Sequence, residues 1–196
     1  MAPTLPATRL LTDPGYILFA PIGTTEPTNT VVGSVFTDAW NASFVVVGGT
    51  ESGSEFTYST KIEPITIAEL FDPIKYSTTE RSGSFAFNMS SWTLKNLNLA
   101  LNGGTFSVVS GTGTTQLGKY EPPTPGSEVR IMLGWESLDA TARIVMRQCI
   151  QGGDVKSTFA KAPSNATIPV EFQFEKPAAA QPFSVYSAGT SRYDGT

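Results

Sequence analysis

Histidine is absent from this 196-residue sequence, and cysteine occurs once, at Cys149. The lack of histidine excludes Ser-His-Asp and Cys-His nucleophilic sites, imidazole bases and histidine metal ligands. A single cysteine excludes an intrachain disulfide and a two-cysteine metal or redox site. We therefore expect a protein of a reducing compartment, without cofactor or metal, in which Cys149 is a small apolar residue within a strand.

Charged residues and long apolar runs are also scarce. Charged residues make up 15% of the chain, the net charge is -4 and the isoelectric point is near 4.8. A high-affinity nucleic-acid binder needs a basic surface, so this class is excluded, whereas a weakly negative wall would let DNA pass without adhesion. No segment has the pattern of a signal peptide or a membrane-spanning helix, so we expect neither secretion nor membrane insertion.

Serine and threonine are abundant, and 18 Gly and 14 Pro favour strands and turns over helices. The length fits one domain. We predict an all-β fold with one helix, in which a β-sandwich or barrel is flanked by a single α-helix. The predicted segments are an extended N-terminal arm (1–40), a β-sandwich domain (41–176) and a C-terminal tail (177–196).

The arm contains one apolar stretch, residues 16–20, which predicts a strand, and a polar stretch, residues 27–38, which predicts a connector without regular structure. Two interpretations of the arm remain open: it lies on a neighbouring surface, or it is a partly disordered terminus. Removal of residues 1–30 is expected to leave the domain folded.

Alternating apolar and polar residues predict half-buried antiparallel strands at 55–61, 84–90, 129–135 and 170–175. In the first of these strands, Phe56, Tyr58 and Ile62 are expected to face the core.

Residues 143–161 predict a hairpin around the Gly152-Gly153 turn. Ile144 and Met146 are expected inward, and Arg143 and Arg147 are expected on the opposite face. Two arginines on one strand are typical of cross-strand or interface contacts, and DNA contacts are the alternative.

One segment, residues 90–102, predicts a helix. Ser90 or Ser91 is expected to cap its first turn, and Gly103 is expected to end it. The helix is predicted to dock on a sheet through an apolar stripe formed by Leu94, Leu97 and Leu101.

An ordered set of short motifs extends from Phe44 to Phe174. The first half contains Phe44-Val45-Val46-Val47-Gly48, Glu51-Ser52-Gly53, Ile62-Glu63-Pro64-Ile65-Thr66-Ile67, Phe85-Ala86-Phe87 and a helix that ends in Ala100-Leu101-Asn102-Gly103-Gly104. The second half contains Arg143-Ile144-Val145-Met146-Arg147, Gly152-Gly153, Lys161-Ala162-Pro163 and Ile168-Pro169-Val170-Glu171-Phe172. No motif is specific alone, but their order resembles the major tail (tail tube) proteins of siphovirus-type bacteriophages, whose long tails do not contract.

This resemblance implies a non-enzymatic virion protein, made in the host cytoplasm, that forms six-membered rings stacked into a hollow tube. DNA would leave the capsid through the tube without specific binding. Subunits of this family contribute strands to a continuous inner barrel, and a long hairpin loop and the terminal arms reach adjacent rings. The implied partners are other copies of the chain and the tail terminator, tape measure and distal tail proteins, with no membrane.

Two sets of residues are candidates for this function. Apolar residues that would contact other subunits or rings are Tyr16, Ile17, Leu18, Phe19, Ile65, Ile67, Leu70, Phe71 and Ile74. Residues that would face the lumen are Glu55, Thr57 and Ser59. In the alternative interpretations, residues 63–76 cover the chain's own core, and the polar face of residues 55–59 meets external solvent.

Other functions remain as alternatives. One alternative is a different virion β-sandwich, such as a tail terminator or head decoration protein. A carbohydrate-binding or adhesin domain would use Trp40, Trp92 or Trp135 as a sugar platform. The carboxylate pairs Glu51/Glu55 and Glu69/Asp72 could serve a glycosidase only if each pair faced one cleft, and without a catalytic motif we do not expect an enzyme.

Overall fold

The fold is described from a computed structural model, which defines residues 14–68, 71–157 and 166–189. Its strands are, in chain order, β1 (Gly15–Pro21), β2 (Val31–Val32), β3 (Val35–Phe36), β4 (Val45–Val46), β5 (Thr50–Ile65), β6 (Lys75–Met89), β7 (Thr105–Ser110), β8 (Leu117–Glu121), β9 (Ile131–Ser137), β10 (Ala142–Gln151), β11 (Ile168–Phe174) and β12 (Phe183–Ser187). Helix α1 (Leu94–Ala100) follows β6, and a short 3-10 helix joins β7 to β8. Within these residues the chain is mostly β with one α-helix, which confirms the predicted fold class.

The chain forms two compact units, and strand β10 contributes to both. The first unit comprises the described parts of residues 1–49, 130–148 and 176–196, and the second comprises those of residues 50–129 and 149–175. The predicted segmentation at residues 40 and 176 stays a prediction.

The first unit is a sheet with the strand order β4-β1-β9-β10, and β12 also pairs with β10. Strand β1 pairs antiparallel with β9 along its whole length, from Gly15 opposite Ser137 to Pro21 opposite Ile131. The core of this unit is formed by Leu18, Ala20, Phe44, Met132 and Val145, with Trp40 and Tyr186 packed against it.

Strand β1 is therefore an integral strand and not part of a removable arm. Ile17 and Leu18 are buried in the chain's own core, and burying two such side chains contributes about 3 to 6 kcal/mol. The expectation that residues 1–30 can be removed without unfolding is wrong for this reason. The predicted strand at 16–20 is confirmed, and residues 1–13 lie outside the described part of the chain.

The expected connector at 27–38 contains the short hairpin β2–β3. Gly33 and Ser34 form its turn, and both have the positive φ that tight two-residue hairpin turns require (59° and 74°). The prediction missed this hairpin because strands of two residues leave no alternation to detect.

The second unit contains the end of β10 and the strand order β10-β11-β6-β5. The predicted strands at 84–90 and 170–175 are confirmed, with Phe85, Phe87, Met89, Val170 and Phe172 buried. Cys149 is buried within β10, as expected.

The inward and outward faces predicted for β10 are wrong. Arg143 is buried although it was expected on the face opposite Ile144 and Met146, and the neighbouring residues Val145 and Met146, which lie on opposite faces, are both buried. The strand has neighbours along both edges and is covered on both faces, so it does not alternate between core and solvent.

The predicted hairpin partner of β10 is also wrong as far as it is described. Residues 152–157 contain no strand, and Cys149, Ile150 and Gln151 pair instead with the end of β11. Residues 158–165 lie outside the described part of the chain.

Helix α1 is shorter than predicted and turns a different face to the sheet. Thr93 is its N-cap, and the Asn96 N–H donates to its hydroxyl at 3.1 Å. The buried residues are Asn96, Leu99 and Ala100, whereas Leu94 is exposed. The prediction of a buried apolar stripe was wrong because the polar residue Asn96 can be buried in this helix. Its side-chain amide donates a hydrogen bond to the Ser91 carbonyl at 2.8 Å.

Candidate assembly surfaces

The outer half of the β5–β6 hairpin, residues 57–65 and 75–83, is named here the outer ribbon. Strand β6 pairs with β11 from Ser84 to Met89, opposite Gln173 to Ile168. Beyond this point, β6 pairs only with β5 among the described strands. Within the described residues no third strand accompanies the outer ribbon, and all of its residues are exposed except Gly83, which lies beside the Phe174 ring.

One face of the outer ribbon is mainly apolar, and it also carries the Thr60–Arg81 pair. Cross-strand partners share a face, and the register places Tyr58 opposite Gly83, Ile62 opposite Thr78 and Pro64 opposite Tyr76. Tyr58, Ile62 and Tyr76 are all exposed, with Ile62 at 56%. Tyr58 and Ile62 thus share a face as predicted, but both are exposed and not buried in the core as expected.

The opposite face of the outer ribbon is polar and includes all three candidate lumen residues. It carries Thr57, Ser59, Lys61, Glu63, Ser77, Glu80 and Ser82. At the base of the hairpin the same face continues to Glu55, which lines a cleft of about 520 Å³ together with Asn88, Asp154 and Glu171. The face is therefore rich in hydroxyls and weakly acidic.

The tip of the ribbon gathers the apolar candidates of the 63–76 segment. The Ile74 N–H donates to the Ile65 carbonyl at 2.9 Å and closes the hairpin. Ile65, Ile67 and Ile74 are exposed, and Phe71 is fully exposed. Leu70 lies outside the described residues.

The β1 candidates are not gathered on an open surface. Ile17 and Leu18 belong to the core, Phe19 is half-buried and Tyr16 is exposed. Among these four residues, Tyr16 has the most surface available for a contact with another subunit.

A groove that the sequence did not predict lies between the start of α1 and the β7–β8 hairpin. It encloses about 410 Å³ and is lined by Leu94, Phe106, Ser107, Val108, Gly113, Gln116, Gly118 and Lys119. Leu94, Phe106 and Val108 are all exposed. Single apolar residues spread over 94–118 gave no periodic signal that could have identified this groove.

Arg143 is not a DNA contact, because it is 2% exposed and bound within its own chain. Its guanidinium donates to Asp38 Oδ1 at 3.0 Å and to Glu136 Oε2 at 2.9 Å. It also lies over the ring of Phe36, 4.6 Å from the centroid. A possible sequence signal was that Glu136 and Arg143 flank the β9–β10 turn, where opposite charges pair across strands.

Arg147 is also held within the first unit. It donates to both carboxylate oxygens of Glu26, at 2.5 and 3.0 Å, and to the carbonyl of Gln181 at 2.9 Å. The hydrogen bonds to Glu26 raise the pKa of the Arg147 guanidinium above its usual value. Both arginines thus stabilise the subunit, as the cross-strand interpretation allowed, by tying β10 to residues that precede β4.

The Asp38 carboxylate makes subunit stability pH-dependent. Burial raises its pKa, but the Asn29 N–H at 2.8 Å and the Arg143 charge outweigh this effect, so that the pKa lies below the usual 3.8. Since this pKa is lowered by folding, its stabilising contribution is complete above 3.8 and disappears as the pH falls through the pKa of the folded state.

In that acidic window, we expect the free energy of unfolding of the Asp38→Asn variant to fall less steeply with decreasing pH than that of the original chain. Urea unfolding between pH 7 and pH 3 measures this difference. Parallel pH curves for the two proteins would contradict the assignment.

The alternative functions proposed Trp40 as part of a sugar platform and Glu69 as one carboxylate of a glycosidase pair. Trp40 is half-buried, packs edge-on against Phe44 and donates its indole N–H to Glu136, so it does not form a sugar platform. Glu69 lies outside the described residues. In the described ranges, no cluster of acidic or cysteine side chains is arranged to hold a metal ion, and no helix is long and apolar enough to cross a membrane.

Comparison with known proteins identifies the family of the chain. The family model described as phage tail tube protein matches residues 7–193. No curated protein matches the chain. The family is structural, so the chain is a virion component and not an enzyme. The match covers nearly the whole sequence, and the chain belongs to the phage tail tube protein family.

Proposed function

We propose that six copies of this chain close into a ring, and that the rings stack into the hollow tube of a non-contractile, siphovirus-type tail through which DNA is ejected. The observation that carries this proposal is the outer ribbon, which has one mainly apolar and one polar face and has no covering layer among the described residues. The six-fold symmetry rests on the family resemblance.

Neighbouring copies would supply what the outer ribbon lacks. A two-stranded ribbon is marginally stable alone, and exposed apolar side chains such as Ile62 and Tyr76 are stabilised by burial. Strand β5 is also an edge strand, and such edges tend to pair with other chains. Closure of a ring by identical copies would cover the apolar face, and it would pair the edge strands so that no unpaired edge remains for further chains.

The polar face would then line the lumen. Glu55, Thr57 and Ser59 lie on this face, and its hydroxyls and carboxylates hydrate well and repel phosphate. DNA would slide along such a wall without specific binding. The tail terminator, tape measure and distal tail proteins are the proposed partners at the ends and in the interior of the tube.

Electron microscopy of the purified protein tests this proposal. We expect rings with six-fold symmetry and stacked tubes with an open lumen, at increasing protein concentration and over a range of salt. A chain that remains monomeric under all of these conditions would contradict the proposal, and single rings that never stack would favour a terminator-like role.

A further inference from the structure

Asn102 joins the end of helix α1 to the end of strand β10 within the second unit. Its side-chain amide donates to the Gln151 carbonyl at 2.8 Å, and its side-chain carbonyl accepts from the Gln151 N–H at 2.7 Å. The side chain thus exchanges two hydrogen bonds with β10, as a residue of a paired antiparallel strand would. This pair of hydrogen bonds is named here the amide lock, and Gln151 is buried beneath it.

Gly103, the residue after Asn102, has hydrogen-bond partners for both of its backbone polar groups. Asn102 has a left-handed conformation, with φ at 57°, and turns the chain out of the helix. The Gly103 N–H then donates to the Asn98 carbonyl at 2.8 Å, which is the bond that closes a helix in a Schellman motif. The Tyr120 hydroxyl donates to the Gly103 carbonyl at 2.5 Å, and Gly103 is buried.

An asparagine that precedes glycine is chemically reactive. The chain has seven asparagines, and only Asn102 is followed by glycine. The glycine nitrogen can attack the side-chain Cγ of asparagine, because glycine has no side chain to hinder the approach. The new C–N bond closes a succinimide ring, the proton of the glycine nitrogen passes through solvent to the side-chain amide, and that amide leaves as ammonia. Water then opens the ring and leaves aspartate or isoaspartate.

The folded subunit opposes this reaction at both reacting groups. The attacking nitrogen of Gly103 is bonded to the Asn98 carbonyl, and the leaving amide of Asn102 is bonded to Gln151. Attack requires that this backbone bond and both bonds of the amide lock break first, which happens only when the end of the helix opens locally. Each hydrogen bond slows the reaction by about fivefold, so three of them slow it by about 100-fold.

We propose that Asn102–Gly103 is a deamidation site that the amide lock keeps closed and that reacts only when the end of α1 opens. The reaction destroys the lock, because a carboxylate has no N–H to donate and its oxygen would face the Gln151 carbonyl oxygen. The chain is a virion component, and a virion makes no new protein, so the lock preserves the subunit after synthesis. This inference does not depend on the proposed rings or tube.

Peptide mapping by mass spectrometry tests the site, because deamidation changes the mass of the peptide that contains Asn102. The full chain is incubated at mildly alkaline pH, once folded and once in concentrated urea. We expect Asn102 to be modified in urea and to react about 100-fold more slowly in the folded chain. Asn98, which precedes leucine, is the internal control and should stay unmodified in both samples. An unreactive Asn102 in urea, or equal rates in the two samples, would overturn the proposal.

Tyr120→Phe tests whether local opening controls the reaction. The substitution removes one hydrogen bond to Gly103 and leaves the reactive pair intact. We expect deamidation of the folded variant to be about threefold to tenfold faster than that of the original chain, with no change of rate in urea. Circular dichroism checks that the variant is folded. An unchanged rate in the folded variant would contradict control by opening at this site.

Asn102→Asp reproduces the product of the reaction and measures what the lock contributes. We expect its melting temperature to be lower by about 2 to 12 °C, since one donor is lost and two oxygens face each other. Asn98→Asp is the matched control at the same helix end, where the side-chain amide lies 3.5 Å from the Gly104 carbonyl, and should have a smaller effect. Equal losses in the two variants would show that deamidation does not act through the amide lock.

Discussion

Replacing Ile62 with aspartate is expected to prevent tube assembly while the subunit stays folded. Ile62 lies at the middle of the apolar face of the outer ribbon and is 56% exposed in the isolated subunit. A charge at this place costs little in a monomer surrounded by water, typically within 0.5 kcal/mol. In an assembled ring the same charge would be removed from water, and even if it paired with Arg81 on this face, a buried ion pair is about 1 to 4 kcal/mol less stable than apolar side chains at every repeated contact.

A substitution on the other face of the same ribbon is the matched control. Ser82→Asp introduces the same charge opposite Ser59, on the polar face that is proposed to meet the lumen. We expect this variant to assemble, because its carboxylate remains hydrated. Sedimentation and electron microscopy compare the two variants at equal concentration. Equal assembly of both, or equal failure of both, would show that the two faces do not have the proposed roles.

Local pattern predicted the strands of the second unit well because a third strand and a buried layer accompany them. Phe85 and Phe87 alternate with polar residues and are buried as expected. Tyr58 and Ile62 follow the same alternation and are exposed, because the pattern gives the face of a side chain but not what covers that face. The incomplete burial of the outer ribbon is therefore visible only when the strand pairing is known.

The candidate contact residues were predictable to different degrees. Ile65, Ile67 and Phe71 are apolar residues between two prolines, which indicated an irregular apolar loop, and the structure places them at the exposed tip. Residues 16–19 have equally apolar side chains but form a strand between β9 and β4. Apolar composition alone does not distinguish a strand that completes a core from a surface that another subunit covers.

The α1–β7–β8 groove was not predictable, because it depends on residues distant in sequence and on a space left empty. Leu94 and Val108 line the same groove because the strand register places Gly118 opposite Val108, and Gly118 lies next to Leu94. A glycine in a strand suggests a close approach of another group, but the sequence does not say which group. The start of the helix, which the Thr93 cap fixes, could not be predicted from the sequence either.

Replacing Arg143 with alanine should produce the largest loss of subunit stability. The guanidinium is 2% exposed and forms ion pairs with Asp38 and Glu136, both with side chains 15% exposed. Its removal leaves two carboxylates that are poorly hydrated and close together, which costs about 3 to 5 kcal/mol. For a chain of this length, that loss lowers the melting temperature by about 6 to 20 °C.

Arg147→Ala is the matched control for Arg143→Ala, since both arginines lie on β10 and bind carboxylates of preceding segments. Arg147 and its partner Glu26 are more exposed, with side chains at 17% and 28%, so Glu26 can regain water when the arginine is lost. We therefore expect a cost of about 1 kcal/mol for Arg147→Ala. Thermal unfolding of both variants measures the difference, and equal costs would mean that desolvation of the Asp38 and Glu136 carboxylates does not explain the role of Arg143.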